Sequence, residues 1–145
     1  MSGDSGRRAL LASALAALLA ELRPAAAQSG SGPAGQSAQR IFAAALPNVP
    51  GKALTAVVVD YAPGGASPSH THAKSAFIFG YVLSGEIESQ VNDGPKRVYR
   101  AGESFYETPG SRHPVSRNAS KTKPAKLLAV FVVDTDDKEL TTPAK

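Results

Sequence analysis

The sequence predicts an all-β domain built as a sandwich or barrel, and three observations support this. The chain has 145 residues, enough for one ordinary domain and too few for two. Short apolar or alternating segments recur at spacings of about 8–12 residues, with Gly and Pro turns between them. No segment after residue 27 has the periodicity of a helix. We therefore expect a single domain made of many short strands.

The predicted strands begin at residue 40 and end at residue 134. In order, they are RIFAAAL, ALTAVVVDYA, FIFGYVLSG, EIESQVN, KRVYR, ESFYE, HPVSRN and AKLLAVFVVD. The turn NDGP after the fourth segment contains an Asp-Gly pair, which is typical of a hairpin. The run LLAVFVV is too continuous for a half-exposed strand, so we place it at the centre of a sheet.

The first 27 residues are predicted to be an export signal. They carry two arginines at positions 7–8, an Ala/Leu run over residues 9–20 and three alanines at 25–27 as a cleavage site. An apolar run of about 12 residues is too short to span a bilayer core of about 30 Å. The paired arginines leave both a Sec and a twin-arginine route open. We expect a secreted or periplasmic protein with no membrane association after signal removal.

The rest of the chain is predicted to contain a Gly/Ser-rich flexible segment over residues 28–39, a barrel over 40–135 and a polar tail over 136–145. The net charge of +4 falls to +3 without the signal and is scattered, so nucleic acid is not expected as a partner. Cysteine is absent, which excludes disulfides and thiol chemistry. Pairing two barrels edge to edge would cover strand edges, and we therefore expect a homodimer.

The chain has three histidines, and their positions predict a metal site. His70 and His72 are two residues apart, so on a strand their side chains project to the same face. His113 directly follows a Pro-Gly turn. Neutral imidazole is the commonest metal ligand near neutral pH.

The arrangement of these histidines and of several glycines resembles the two motifs of the cupin family. The first motif matches Gly64, His70, His72 and Gly85, and the second matches Gly102, Pro109, Gly110, His113 and Asn118. The resemblance covers about residues 40–134. It implies an antiparallel jelly-roll barrel with one metal ion held inside by His70, His72 and His113.

The chain departs from the family pattern at its glutamate ligand. That position falls on Ile78 or, with a shifted count, on Phe77, and neither side chain coordinates a metal. One extra residue lies between Gly102 and Pro109, and we expect it to bulge the strand and redirect Glu107. Glu107 is thus a candidate fourth ligand and catalytic residue; the alternative is a surface glutamate near a turn.

An imidazole-only site favours copper, with iron and zinc also compatible with the ligands. The small size of the chain, its predicted export signal, its single predicted barrel and its three histidines together resemble the secreted monocopper cupins that cleave cellulose oxidatively. This resemblance implies a polysaccharide substrate and dioxygen or peroxide as co-substrate. Tyr106 is then a candidate catalytic residue for sugar stacking or radical transfer, as are Tyr61, Tyr81 and Tyr99. Strand packing is the alternative role for these tyrosines.

Two other functions stay open. One is a three-histidine Fe(II) dioxygenase acting on a small diketone or phenol, and the other is a non-catalytic or isomerase-like ligand-binding cupin. The oxidative functions require a metal site from which water is excluded, and we expect Phe77, Ile78, Phe79 and Val82 to form its apolar lining. The alternative role for these four residues is ordinary barrel core. Gly80 is expected to leave room beside the metal if it faces the lumen.

Overall fold

The computed structural model describes residues 35–145, which form eleven β-strands. The strands are β1 Gln36–Ala45, β2 Lys52–Tyr61, β3 His70–His72, β4 Phe77–Ser84, β5 Glu86–Gln90, β6 Arg97–Arg100, β7 Ser104–Glu107, β8 Arg112–His113, β9 Val115–Asn118, β10 Ala125–Asp134 and β11 Thr141–Pro143. The all-β prediction is confirmed. Within this range, no helix has the length and apolar character required to cross a membrane. The predicted export signal and residues 28–34 lie outside the described residues.

The strands pair antiparallel in three sheets. The largest has the order β1-β2-β10-β4-β7, and the two smaller ones have the orders β6-β5-β9 and β11-β3-β8. Strand β10 contains the LLAVFVV run and pairs with β2 on one side and with β4 on the other. Its predicted central position is therefore confirmed, and the antiparallel arrangement is the jelly-roll barrel expected from the sequence.

Side chains that point into the barrel form two apolar clusters. The first cluster contains Tyr61, Val82, Ile87, Phe105, Ala125 and Leu127. The second contains Ala76, Ile78, Phe131 and Val133, and His72 lies next to it with its ring centroid 5.7 Å from that of Phe131. Every second residue of β4 faces inward, so Ile78 and Val82 are buried while Phe77 and Phe79 are exposed. The expectation that Phe77 and Phe79 line the lumen is therefore wrong.

The structure differs from the predicted boundaries at both ends of the barrel. Strand β1 begins at Gln36, so the last four residues of the segment predicted to be flexible are paired with β2. In the predicted polar tail, Thr141–Pro143 pairs with β3 in the register Thr141↔His72 and Pro143↔His70. Three residues are too few to show an alternating pattern, so this strand could not be recognised from the sequence.

Gly80 faces the barrel interior, but a phenyl ring occupies the space beside it. A Cβ built on Gly80 would lie 2.7 Å from Cζ of Phe105. Phe105 in turn packs against Tyr99, with ring centroids 4.9 Å apart. The expectation that Gly80 leaves room beside a metal is therefore wrong, since the missing side chain admits Phe105 into the core.

Replacing Gly80 by alanine should destabilise the barrel by about 1–3 kcal/mol, because the added methyl group overpacks the core against Phe105. Denaturant unfolding measures this change. A second substitution, Phe105→Leu, should recover part of the loss in the Gly80→Ala background, since the two positions share one space. Equal stability of Gly80→Ala and wild type would show that the ring moves away without cost.

Candidate metal centre

The three histidines meet at one end of the barrel because β3 and β8 are neighbours. His70 and His72 lie on β3, and the β3–β8 register aligns His70 with His113. The ring centroids are 4.8 Å apart for His70 and His72, 5.2 Å for His70 and His113, and 5.8 Å for His72 and His113. One ligand nitrogen of each ring lies within 4.8 Å of the others. The structure thus brings the three predicted ligands together.

A carboxylate completes this cluster. Glu107 is buried, with Oε2 2.9 Å from Nε2 of His72 and Oε1 3.2 Å from Nδ1 of His113. Sequence analysis left two positions open for Glu107, in the metal site or on the surface near a turn. The structure places it in the site, where it is buried. A carboxylate thus lies against two of the three imidazoles, while the described ligand atoms that all lie within 4.8 Å of one another are those of the three histidines.

Glu107 reaches the cluster by ordinary strand alternation. The β4–β7 register runs without interruption from Ile78↔Glu107 to Tyr81↔Ser104, so the bulge expected in β7 is absent. Phe105 and Glu107 face inward and are buried, two residues apart on β7. Ile78, where the family pattern expects its glutamate, lies directly across from Glu107. The carboxylate is thus on the strand next to the expected one.

The other predicted catalytic residue, Tyr106, is not part of the cluster. Its side chain is 64% exposed and stacks on Phe77, with ring centroids 5.7 Å apart. Since Glu107 points inward, its neighbour on the strand must point outward. Of the other tyrosines considered, only Tyr61 borders the cavity described below; Tyr81 stacks with Phe79 and Tyr99 packs on Phe105.

Two hydrogen bonds orient the histidine rings. Nδ1 of His70 donates to the carbonyl oxygen of Pro68 at 2.7 Å, which leaves Nε2 with a free lone pair. Nε2 of His113 shares a hydrogen bond of 2.8 Å with Oγ of Ser89, which leaves Nδ1 on the side of Glu107. Sequence reasoning missed Ser89, although its position between the polar Glu88 and Gln90 was a usable signal for an inward-facing residue.

The environment of the cluster favours the neutral form of His70 and the ionised form of Glu107. Burial, reinforced by His72 and His113, lowers the pKa of His70 to about 4, although the bond to Pro68 opposes this. Burial alone would raise the pKa of Glu107, but the adjacent rings of His113 and His72 outweigh it and lower that pKa to about 2. Near neutral pH, both groups are therefore in the protonation state that metal binding requires.

Within residues 35–145, three buried atoms of the cluster have no hydrogen-bond partner. They are Nδ1 and Nε2 of His72 and Oε2 of Glu107. Nε2 and Oε2 are only 2.9 Å apart, yet their geometry is not that of a hydrogen bond. Unpaired buried polar atoms are costly. A cation between them would satisfy these lone pairs, so the donor set fits a metal ion.

The cluster borders a cavity of about 350 Å³. Its walls are largely apolar and include Val57, Val59, Ile78, Leu127 and Phe131. Polar groups also line it, among them Tyr61, Ser67 and Ser116, whose hydroxyl oxygens form two hydrogen bonds of 2.8 Å. Strand β11 and residues Gln36 and Ala38 of β1 form part of the wall. No lysine or arginine lines the cavity in the part of the chain that the structure describes.

Comparisons with known proteins agree with this geometry. Residues 57–131 match the family model described as "Cupin domain". A germin-like protein of Arabidopsis thaliana, subfamily 2 member 4, is 34% identical over 77 residues, which cover 50% of this chain and 34% of the relative. Oxalate oxidase 2 of Hordeum vulgare is 37% identical over 78 residues, covering 49% and 34%. The match thus spans about a third of the length of these curated relatives.

Solved structures of oxalate oxidases are also similar to this chain. A recombinant oxalate oxidase in complex with glycolate is 26% identical with a TM-score of 0.59, over 78% of this chain and 57% of that one. A second oxalate oxidase structure is 25% identical with a TM-score of 0.56, over 93% and 72%. An uncharacterised double-stranded β-helix protein of Klebsiella pneumoniae, 20% identical with a TM-score of 0.60, shares the fold over 78% of this chain and 87% of its own.

Proposed function

Because the chain belongs to the cupin domain family, we propose that it is a metal-dependent oxidoreductase that oxidises a small carboxylic acid with dioxygen. Oxalate is the first substrate to test. The observation that carries this proposal is the Glu107 carboxylate among three histidines at the edge of a small, largely apolar cavity. The similarity to oxalate oxidases supports the choice of substrate class.

The ligand set supports manganese(II) or iron(II) over copper. The preference for copper depended on a site without carboxylate, and Glu107 removes that condition. Imidazole suits iron, copper and zinc, whereas carboxylate oxygen shifts preference towards harder ions such as manganese. His70, His72, His113 and Glu107 would hold the ion. When bound, it would supply a Lewis-acid site for a carboxylate and a redox centre for dioxygen.

The size of the cavity supports a small substrate over a polysaccharide. About 350 Å³ lies near the lower end of the range of about 300–1,000 Å³ for small-molecule pockets. A cellulose chain needs an extended open groove along which several sugar units can lie. With no lysine or arginine among the described lining residues, a dianion such as oxalate would depend on the metal and on hydroxyl groups for its binding.

The chain's own residues would orient the acid and exclude water. Burial raises the pKa of Tyr61, so its hydroxyl stays protonated and can donate a hydrogen bond to a carboxylate oxygen, in exchange with Ser67 or Ser116. The apolar walls keep water from reactive species. In the overall reaction, one oxalate dianion gives two electrons to one dioxygen, which takes up two protons; the products are two carbon dioxide and one hydrogen peroxide.

Metal analysis of the purified full chain, followed by substrate assays, tests the proposal. We expect the purified protein to contain about one manganese or iron ion per chain. With oxalate as substrate, we expect it to form one hydrogen peroxide for every two molecules of carbon dioxide. Stoichiometric copper with oxidised sugars from cellulose, and no oxalate turnover, would support the polysaccharide function instead. Dioxygen consumption with diketones or phenols alone would indicate the iron dioxygenase. Ligand binding that persists unchanged after metal removal would indicate a binding protein.

Substituting Glu107 by glutamine should weaken manganese binding about 100-fold while affecting copper binding much less. The amide keeps the size of the side chain but removes the negative charge that favours hard cations. Competitive titration of the metal-free protein with the two ions measures the ratio. Glu86→Gln is the matched control, because Glu86 pairs with Arg100 on the outer surface. An unchanged manganese-to-copper ratio in Glu107→Gln would argue against Glu107 as a ligand.

The proposal also includes export. A signal over residues 1–27 would deliver the protein to the periplasm or the medium. Mass spectrometry of the exported protein should give a chain that begins at Gln28, and retention of residues 1–27 on the exported chain would contradict this.

A further inference from the structure

Three neighbouring strands give the cavity one continuous apolar wall. Strands β1, β2 and β10 pair side by side, and their registers place Ala38, Val59 and Leu127 in one row across them. The adjacent row contains Val57 and Ala129. All five side chains line the cavity. We name this surface, formed by these five residues, the three-strand wall.

The space in front of the three-strand wall is larger than oxalate needs. The cavity of about 350 Å³ has room for about twelve water-sized groups at about 30 Å³ each, and oxalate would fill about half of it. Two of the wall residues, Ala38 and Ala129, are small and leave this space free. Apolar surface that stays in contact with water does not contribute the free energy of its burial. A ligand that covers the wall with a hydrocarbon group should therefore bind more tightly than one without it.

The charges around the cavity favour a ligand with a single carboxylate. Among the lining residues that the structure describes, Glu107 is the only acid, and there is neither lysine nor arginine. The ion required by the proposed function would neutralise one carboxylate of the ligand. A second carboxylate, placed further along the ligand against the three-strand wall, would be buried without a counterion, and this is strongly unfavourable.

From the size, the apolar wall and the missing cation, we infer that the site prefers monocarboxylic acids with a hydrocarbon chain of about three to six carbons, and that the three-strand wall selects this chain. This preference rests on the proposed function, because the bound ion is what holds the carboxylate. Ala38 is the residue that sets the specificity at the edge of the wall. It lies on the edge strand β1, where a larger or charged side chain would change the space offered to the ligand.

Isothermal titration of the purified, metal-containing full chain with α-hydroxy acids of increasing length tests this preference. Glycolate, lactate, α-hydroxybutyrate and α-hydroxyvalerate have the same carboxylate and hydroxyl group and differ only in the chain. We expect the affinity to rise about threefold to fourfold with each added carbon, because each one removes further apolar surface from water. Malate has a carboxylate where α-hydroxybutyrate has a methyl group, and it should bind at least about tenfold more weakly.

The variant Ala38→Lys supplies the missing positive charge and should reduce the preference for the monocarboxylate. Ala38 is exposed on its edge strand, so a lysine there should leave the barrel folded. We expect the ratio of the dissociation constants of malate and α-hydroxybutyrate to fall by about tenfold. Ala44→Lys is the matched control, because Ala44 is exposed on the same strand but does not line the cavity. It should keep the wild-type ratio.

Thermal unfolding and metal content show whether each variant is folded. If Ala38→Lys does not fold, Ala38→Leu serves in its place. The added side chain would fill part of the space, so it should weaken α-hydroxyvalerate binding by about tenfold and leave glycolate binding unchanged, with Ala44→Leu as its control.

Affinity that is equal for all four acids, or that falls with chain length, would overturn the inference, and so would binding of none of them. Malate bound as tightly as α-hydroxybutyrate by the wild type would also overturn it, as would a folded Ala38→Lys or Ala38→Leu protein with wild-type preferences. Dioxygen consumption with oxalate but no gain in affinity with chain length would keep the proposed function and reject the preference. The expected gain without dioxygen consumption for any acid would keep the preference and reject the oxidase.

Discussion

Replacing His72 by alanine should abolish stoichiometric metal binding. His72 is buried in the cluster beside Glu107, and neither of its ring nitrogens has a hydrogen-bond partner among the described residues, so its lone pair is available to a metal ion. Loss of a group that merely orients a ligand costs about 10–100-fold in affinity, and we expect at least the upper end of that range for a ligand itself. Isothermal titration with manganese or iron measures the change.

The matched control for this variant is Thr71→Ala on the same strand. Thr71 lies between the two histidines, and strand alternation directs its side chain to the opposite face. The His72→Ala substitution removes no hydrogen bond, and its main structural cost is a gap beside Phe131. Both variants should therefore fold, and only His72→Ala should lose the ion. Wild-type affinity in folded His72→Ala would remove His72 from the ligand set.

Exchanging the residues at positions 78 and 107 should move the carboxylate across the sheet and keep the metal site. Ile78 and Glu107 face each other in the β4–β7 ladder, where opposite Cβ atoms are about 4.5–5.5 Å apart. Glu107→Ile alone should weaken metal binding by about 100-fold. The double variant Ile78→Glu/Glu107→Ile should bring the affinity back to within about tenfold of wild type, because a carboxylate again borders His72.

The control for the exchange is Ile78→Gln/Glu107→Ile, which has the same change of shape without the charge. It should bind metal as weakly as Glu107→Ile alone. If the folded Ile78→Glu/Glu107→Ile variant also binds metal as weakly as Glu107→Ile, then positions 78 and 107 are not equivalent. Metal binding would then require the carboxylate to be on β7.

Much of the fold was predictable from local patterns. Apolar segments and Gly/Pro turns identified most strands, and the continuous run of β10 identified its central position. The histidines were also predictable, because the His-x-His spacing places two rings on one face and the Pro-Gly turn precedes the third. Gly85 fits its motif for a physical reason: its φ is +71°, and a Cβ there would lie 2.6 Å from the Pro124 carbonyl oxygen.

The remaining features depend on which way each strand faces and on distant pairing. Tyr106 and Glu107 are adjacent on β7, so only one of the two side chains can point inward. The sequence does not define which of them it is, because it does not define which face of β7 is turned to the barrel interior. The role of Gly80 depends on the Phe105 ring from a neighbouring strand. Strand β11 exists only through its pairing with β3. Each of these features comes from a partner that is remote in the chain.

The position of β10 has a consequence for the order of events in the cell. β10 lies between β2 and β4, although both precede it in the chain. On the ribosome, the β1–β2 and β4–β7 pairs would exist as two pieces with unpaired edges until residues 125–134 emerge. Such long-range closure is slow and exposes edges meanwhile. Since β10 joins the part of the sheet that carries Glu107 to the rest of the wall, the proposed set of metal ligands would be complete only after residues 125–134 are synthesised. The compartment in which the barrel closes would then determine which metal ions the site meets first.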